Sequence, residues 1–231
     1  MGNVVNGRWF YEPKTLKSKC IHVVALEDWL NGKGAELCAY TLPSIKKYAD
    51  KIGADFNLIT KPRFPDFPCN YERFHIWEDG KDYQWNINID ADTLMHPEAE
   101  DPTLRINPFN TIGALLSMHQ HSYFFEPNAY FTRNPNKPFF GDFFVVSSWL
   151  THDIWEPLPM THEEVSSFCK ADKRQVSEFN LAVNFCKYDY NLDGALVDQT
   201  KHYHLGTTMN KLDYKSAIQS VRDKLKEWGK V

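Results

Sequence analysis

Cysteine is scarce and unpatterned. The five residues Cys20, Cys38, Cys69, Cys169 and Cys186 are odd in number and show no C-x-x-C spacing, which argues against a disulfide framework and against a zinc knuckle. No N-x-S/T sequon occurs, and the two absences together predict a reducing, cytosolic setting. The opening stretch MGNVVNGRWFYEPKTLKSK has no apolar h-region, so no signal peptide is read there. No apolar run approaches the roughly 20 residues that cross a bilayer. A soluble, cytoplasmic chain without a transmembrane segment is therefore expected, although an excised domain would read the same way. Basic residues are in the minority, 26 against 30 acidic ones, with a net charge of −4 and a pI of about 6.1. No Lys/Arg-rich stretch is interleaved with aromatics, so nucleic acid is not an expected partner and small charged ligands remain open. Internal repeats and low-complexity segments are also missing. None of these features encodes an oligomeric state.

What is present suffices for a full core: 231 residues, 42% hydrophobic and 15% aromatic, which predicts one domain over residues 1–231. CIHVVALED, from Cys20 to Asp28, reads as a buried strand, and the helical period through Leu37, Leu42, Ile45, Tyr48 and Ile52 follows it. Asn57–Thr60 is the next strand, and the proline-rich KPRFPDFPCN leads into a short helix, YERFHIWED. Alternating strands and helices imply an α/β fold with a mostly parallel central sheet, helices on both faces, and ligands gathered at the carboxyl ends of the strands. The second half is aromatic and proline-rich. HSYFFEPNAYFTRNPNKPFFGDFFVVSSWLTHDIWEPL predicts paired strands and loops, hence a mixed sheet there. One or two helices follow, with Phe179, Ala182, Val183 and Cys186 inward, then a last strand in TKHYHLG and an amphipathic terminal helix.

The densest signal is YQWNINIDADTLMHP, from Tyr83 to Pro97. Trp85, Ile87 and Ile89 share one face of a period-2 strand and Asn86, Asn88 and Asp90 the other, so the strand delivers Asp90 to its end. In extended geometry Asp90 and Asp92 project to the same side, with only Ala91 between them. Paired carboxylates repel and are best tolerated beside a cation. Mg²⁺ and Mn²⁺ take oxygen ligands, and Mg²⁺ fills its shell with water and phosphate oxygens around one or two carboxylates, so the loop suggests a metal–diphosphate site. Two aspartates that merely cap a turn remain the alternative. His202 and His204 share a face of an extended run ahead of Gly206, and either could be a ligand or a hydrogen-bonded histidine. DYNLDG, from Asp189 to Gly194, matches the first half of an EF-hand loop, but the twelfth position is Thr200 and no helical pair flanks it, so it reads as a turn.

The segment YERFHIWEDGKDYQWNINIDADTLMHP resembles the DxD region of GT-A-fold, nucleotide-sugar-dependent glycosyltransferases. The order of VVALED, the DxD, FFGDFFVVSSWL, SEFNLAVN and HYHLG extends the resemblance over most of the chain. It implies a single GT-A-like, Rossmann-like domain, with residues 1–97 as the nucleotide-binding half and 98–231 as the sugar and acceptor half. It also implies a metal-dependent hexosyl- or pentosyltransferase that uses Mn²⁺ or Mg²⁺, a nucleoside diphosphate sugar donor and a glycan or other hydroxyl acceptor. By position, Asp92 would ligate the metal directly and Asp90 would serve the ribose or a metal-bound water. A late histidine would complete the coordination; the family's His-x-x-Gly spacing is not kept, and His204 is the expected ligand. Lys211 resembles the lysine that neutralises the leaving diphosphate and Arg73 the basic residue near the phosphates. Leu26 and Glu27 stand where the base and ribose are held. Asp142 would accept hydrogen bonds from sugar hydroxyls. Glu178 would act as a base or a stabiliser at the anomeric carbon, unless it is only a helix N-terminal charge. Two other readings stand beside this one: a phosphohydrolase using Asp90, Asp92, His202 and His204, and a non-catalytic carbohydrate-binding domain using Trp85, Trp149 and Trp155 as stacking platforms.

Overall fold

The computed structural model describes residues 2–5, 8–11, 16–32, 34–120, 138–169, 175–194, 201–205 and 214–229. β1 (Gly2–Val5) and β2 (Arg8–Tyr11) form an antiparallel pair. β3 (Lys17–Val24) then enters the main sheet and is followed by a helical turn, α1 (Glu27–Leu30), and by α2 (Ala35–Ile52). The first strand thus stops at Val24, so Glu27 and Asp28 belong to a helical turn and not to a strand end. α2 ends at Gly53, whose φ of 68° is left-handed, a conformation that costs glycine nothing. β4 (Asp55–Ile59) leads through the proline-rich loop to a 3-10 helix over Cys69–His75, then α3 (Ile76–Asp79), β5 (Tyr83–Ile89) and β6 (Thr93–Met95).

The second half supplies β7 (Thr111–Gln120), β8 (Pro138–Ser148), α4 (His162–Ser167), α5 (Val176–Lys187), β9 (Asn191–Asp193), β10 (His202–His204) and α6 (Tyr214–Glu227). The six-stranded sheet has the order β4-β3-β5-β8-β7-β9. β4, β3 and β5 are parallel, β5–β8 and β8–β7 antiparallel, and β7–β9 parallel. This is the expected mixed α/β sheet, with strands from both halves of the chain. Two details differ from expectation. β7 lies upstream of the stretch in which paired strands were predicted, and Trp149–Trp155 is a 3-10 helix because Ser148 and Thr151 form a reciprocal capping box at its start. Asp189–Gly194 is a turn running into β9, and Asp189 itself adopts φ 56°.

Each face of the sheet is covered. On one, Ile45, Tyr48, Ala49 and Ile52 of α2 pack on Ile21, Val23, Ile87 and Ile89. On the other, Phe179, Ala182, Val183 and Cys186 of α5 join Ile112, Val145, Tyr71 and Phe74. Trp155 is wholly buried there and its Nε1 donates to Ser147 Oγ at 2.7 Å, so it cannot serve as a stacking platform. α6 closes a third cluster, with Ile218 and Val221 against Leu37, Leu94 and Leu205. Among the described residues no disulfide joins the cysteines, and no helix is long and apolar enough to cross a membrane.

Next to the β4–β3–β5 edge the second face turns polar. His22 is completely buried; its Nε2 donates to Asn86 Oδ1 at 2.9 Å, and Nδ1 accepts from Asn57 Nδ2 at 3.1 Å. This arrangement requires the neutral ring. Burial lowers the His22 pKa from 6.5 to about 4, against the Asn86 hydrogen bond and the Asp79 charge that raise it. Burial also lowers His152, which stands beside Asn86. Between pH 6.5 and 4 the unfolded chain takes up a proton at His22 that the folded chain refuses, so stability is full above 6.5 and falls through that window. The expected loss from His22 is about 3 kcal/mol. Urea titrations across this range check it, and an unchanged pH slope in His22→Gln would show that His22 does not carry the dependence.

Candidate metal and donor site

β5 carries one apolar and one polar face, and its register between β3 and β8 brings Asp90 to the carboxyl end of the sheet. β4 lies on one side of β3 and β5 on the other, so the strand order reverses at β3, the place where open α/β sheets leave a crevice. The loop leaving β5 is fixed from four sides. Asp90 N–H donates to Phe143 O at 2.8 Å, Thr93 N–H to Asp90 O at 3.0 Å, Leu205 N–H to Asp92 O at 3.2 Å, and the buried Thr41 hydroxyl of α2 to Ala91 O. Asp90–Thr93 is therefore a hydrogen-bonded turn and not the extended run expected from sequence; the carboxylates still converge.

β10 pairs antiparallel with β6 in the register His204↔Thr93, which sets the His204 ring beside the aspartates. Its Nε2 is 3.2 Å from Asp92 Oδ1 and 3.6 Å from Asp90 Oδ2. One donor atom from each of the three residues lies within 4.8 Å of the others. Two carboxylates and one imidazole form a mixed O/N set that fits a divalent ion such as Mn²⁺ or Mg²⁺, with room in the shell for water or phosphate oxygens. Phe143 stacks on the His204 ring at 4.3 Å with an interplanar angle of 6° and holds its orientation. His202 is buried, turns edge-on to Phe144 and lies outside this group.

Arg73 is the second fixed charge. Its side chain is 3% exposed, one guanidinium nitrogen is 3.3 Å from Asp90 Oδ1, and Nε donates to Asn70 O at 2.7 Å. Burial alone would raise the Asp90 carboxyl, but the Arg73 and His204 charges and hydrogen bonds outweigh it and hold the group below its ordinary value. Burial would lower His204, yet its bonds to Asp90 and Asp92 and their charges push it up to about 10. The ring then bridges the carboxylates as a cation, and it must give up that proton to ligate a metal.

The same carboxylates and Arg73 line a pocket of about 330 Å³, together with Leu26, Asp28, Trp29 and Asn70. Leu26 is thus among the lining residues. Glu27 is exposed and is not among the lining residues; α1 turns it outward and brings Asp28 and Trp29 in instead. Trp29 is seated by Gly34, where a Cβ would stand 2.3 Å from the indole. Sequence reasoning missed both residues, and the signal was present in the aromatic and acid that follow Glu27. Glu178 is partly buried in the first turn of α5 and does not line this pocket. Asp142 lies in β8, with its side chain outside the described residues, as are Lys211 and Gly206.

No family model and no curated protein matches the chain. Among solved structures it is similar to a glycosyltransferase involved in the glycosylation of the major capsid of PBCV-1, with 9% identity, a TM-score of 0.51, and coverage of 89% of this chain and 99% of that one. It also aligns with a Drosophila β-1,4-galactosyltransferase 7 mutant in complex with manganese, UDP-Gal and xylobiose (12% identity, TM-score 0.40, 76% of this chain and 64% of that one). A third alignment is with the bifunctional glycosyltransferase WbbM (12% identity, TM-score 0.44, 93% of this chain and 46% of that one). The first of these shows the fold: the chain shares the α/β architecture of that glycosyltransferase.

Proposed function

We propose that the chain transfers a sugar from a nucleoside diphosphate sugar to an acceptor hydroxyl, assisted by Mn²⁺ or Mg²⁺. The observation that carries this reading is the convergence of Asp90, Asp92 and His204 at a pocket whose wall includes the buried cation Arg73. In this reading Asp92 and His204 hold the cation, while Asp90 serves the ribose or a bound water. Arg73 faces the diphosphate, and Leu26, Asp28 and Trp29 hold base and ribose. When bound, the divalent ion supplies positive charge to the leaving diphosphate. Lys211 would add to that charge, Asp142 would accept hydrogen bonds from sugar hydroxyls, and Glu178 would act as base or stabiliser near the anomeric carbon. Residues 1–97 would then serve the nucleotide and 98–231 the sugar and acceptor, in a cytoplasmic protein. His202 stands apart from the cluster, so a phosphohydrolase built on all four groups has less support.

The test is a thermal-shift panel of nucleoside diphosphate sugars with and without Mn²⁺, followed by detection of transferred sugar. A donor at about 100 times its Kd should stabilise by about 2.7 kcal/mol, which for a chain of this size raises Tm by roughly 5–10 °C. If no nucleotide sugar shifts Tm in the presence of metal, the reading fails. Within the site, His204→Ala should weaken metal-supported nucleotide binding at least about tenfold, as His202→Ala does not, because only the ring at 204 faces both carboxylates. Calorimetry on both folded variants decides, and a larger loss at position 202 would reverse the assignment.

A further inference from the structure

Phe143, in β8, touches two of the three residues Asp90, Asp92 and His204 that converge at the pocket. β8 runs antiparallel to β5 with Phe144 opposite Ile89. Phe143 therefore falls beside Asp90, and its carbonyl accepts from Asp90 N–H at 2.8 Å. Its ring lies flat on His204, with 4.3 Å between centroids and 6° between planes. From this geometry we infer that Phe143 is a positioning residue for metal choice: by fixing the plane of the His204 ring, it makes the site favour transition-metal dications, Mn²⁺ and Co²⁺ among them, over Mg²⁺ and Ca²⁺. The inference rests on the reading of Asp90, Asp92 and His204 as the cation site, and it narrows the choice of cation left open there.

An imidazole nitrogen offers its lone pair in the plane of the ring, so the second side-chain torsion sets where it points. For histidine that torsion is broad and roughly two-fold, so rotamer preference does not fix the plane and contacts must. A ligating histidine is ordinarily fixed by a hydrogen bond from its other ring nitrogen. Among the described residues, the polar contacts of His204 both run through Nε2, to Asp92 and Asp90. Contacts at one distal atom constrain the plane weakly. The parallel face of Phe143 supplies the missing constraint. Phe143 is itself firmly seated, being 8% exposed and in one apolar cluster with Ile89, Ala91 and Met95. The cations differ in how much they depend on this. Two carboxylates serve any hard dication, and Mg²⁺ and Ca²⁺ take oxygen ligands, so an imidazole adds little for them. It adds progressively more along the series from Mn²⁺ to Co²⁺. A ring released to turn therefore costs the transition ions and spares the other two. Phe144 offers an internal comparison: it is wholly buried in the same strand and meets His202 edge-on at 70°, away from the carboxylates.

The test titrates MnCl₂, CoCl₂, MgCl₂ and CaCl₂ separately into the full chain by calorimetry, without nucleotide. Phe143→Leu should weaken Co²⁺ about tenfold or more and Mn²⁺ by a smaller factor, while Mg²⁺ and Ca²⁺ change by less than about twofold. Phe143→Met, flexible and close to Phe in volume, gives the same readout if the Leu variant fails to fold. Phe143→Tyr keeps a flat ring and should restore the wild-type preference. Phe144→Leu should lower Tm at least as much as Phe143→Leu and leave the preference unchanged, which separates aiming the ring from supporting the core. Pulsed EPR of the Mn²⁺-loaded protein should show a nitrogen coupling in wild type and Phe143→Tyr that is lost in Phe143→Leu. The inference is overturned if Phe143→Leu weakens all four cations equally or none of them, if folded Phe143→Tyr behaves like Phe143→Leu, or if Phe144→Leu shifts the preference as much. Failure of the underlying cation site looks different: wild type would then bind Mn²⁺ no more tightly than Asp92→Asn does, and the inference would fall with it.

Discussion

Asp92→Asn is expected to fold like the wild type and to lose Mn²⁺-dependent nucleoside diphosphate binding by at least about 100-fold. The amide keeps the shape of the side chain but not the anionic oxygen that faces His204 at 3.2 Å. The fold is spared because Asp92 holds the loop through its backbone carbonyl, which accepts from Leu205 N–H, and the amide oxygen of Asn can still accept from His204 Nε2. Loss of a residue that only supports a ligand costs about 10–100-fold, so loss of a ligand should reach or exceed that range. Circular dichroism melting and calorimetric titration with and without Mn²⁺ measure the two halves of the expectation. An affinity within a factor of about three of wild type, in a folded variant, would remove Asp92 from the metal site.

The strand that presents this residue was legible because β5 alternates: Ile87 and Ile89 meet α2 while Asn86 and Asn88 meet the polar face. Alternation fixes which face each residue takes, so the delivery of Asp90 followed from the sequence. It does not fix what faces the strand. Nothing in the spacing foretold that the neutral ring of His22, on β3, would join Asn86 and Asn57, because those partners are 64 and 35 residues away. The choice between His202 and His204 was likewise beyond a period of two, which puts both rings on one side. The register against β6 decides which ring stands beside the aspartates, setting His204 opposite Thr93 and His202 opposite Met95. The strand end at Glu27 was misread for a local reason. VVALED looks like one strand, but a single helical turn after Val24 rotates Glu27 into solvent and brings Asp28 and Trp29 to the pocket.

The other large effect is expected at Arg73, where charge and hydrogen bonding can be separated. Arg73→Leu removes a guanidinium that is 3% exposed and leaves Asp90 facing a desolvated wall, with the His204 ring and the Asn88 amide as remaining compensation. Breaking a buried pair from one side costs about 3 kcal/mol, so Tm should fall by roughly 6–12 °C. Nucleoside diphosphate affinity should fall about 10–100-fold, since the residue lines the pocket and orients Asp90. Arg73→Lys keeps the charge but cannot also reproduce the Nε bond to Asn70 O at 2.7 Å, so it should restore part of the affinity and little of the stability. A pH series adds a sign. In the wild type the Asp90 carboxyl is held below its ordinary value of 3.8, so its contribution is full above that value and is lost as pH falls further. Without Arg73, burial is left to raise the group, and protonation then relieves the variant while it costs the wild type. The stability gap between Arg73→Leu and wild type should therefore narrow as pH falls toward 4 and below. A gap that stays constant with pH would mean that Arg73 supports the fold through its bond to Asn70 and its packing, and not through the charge on Asp90.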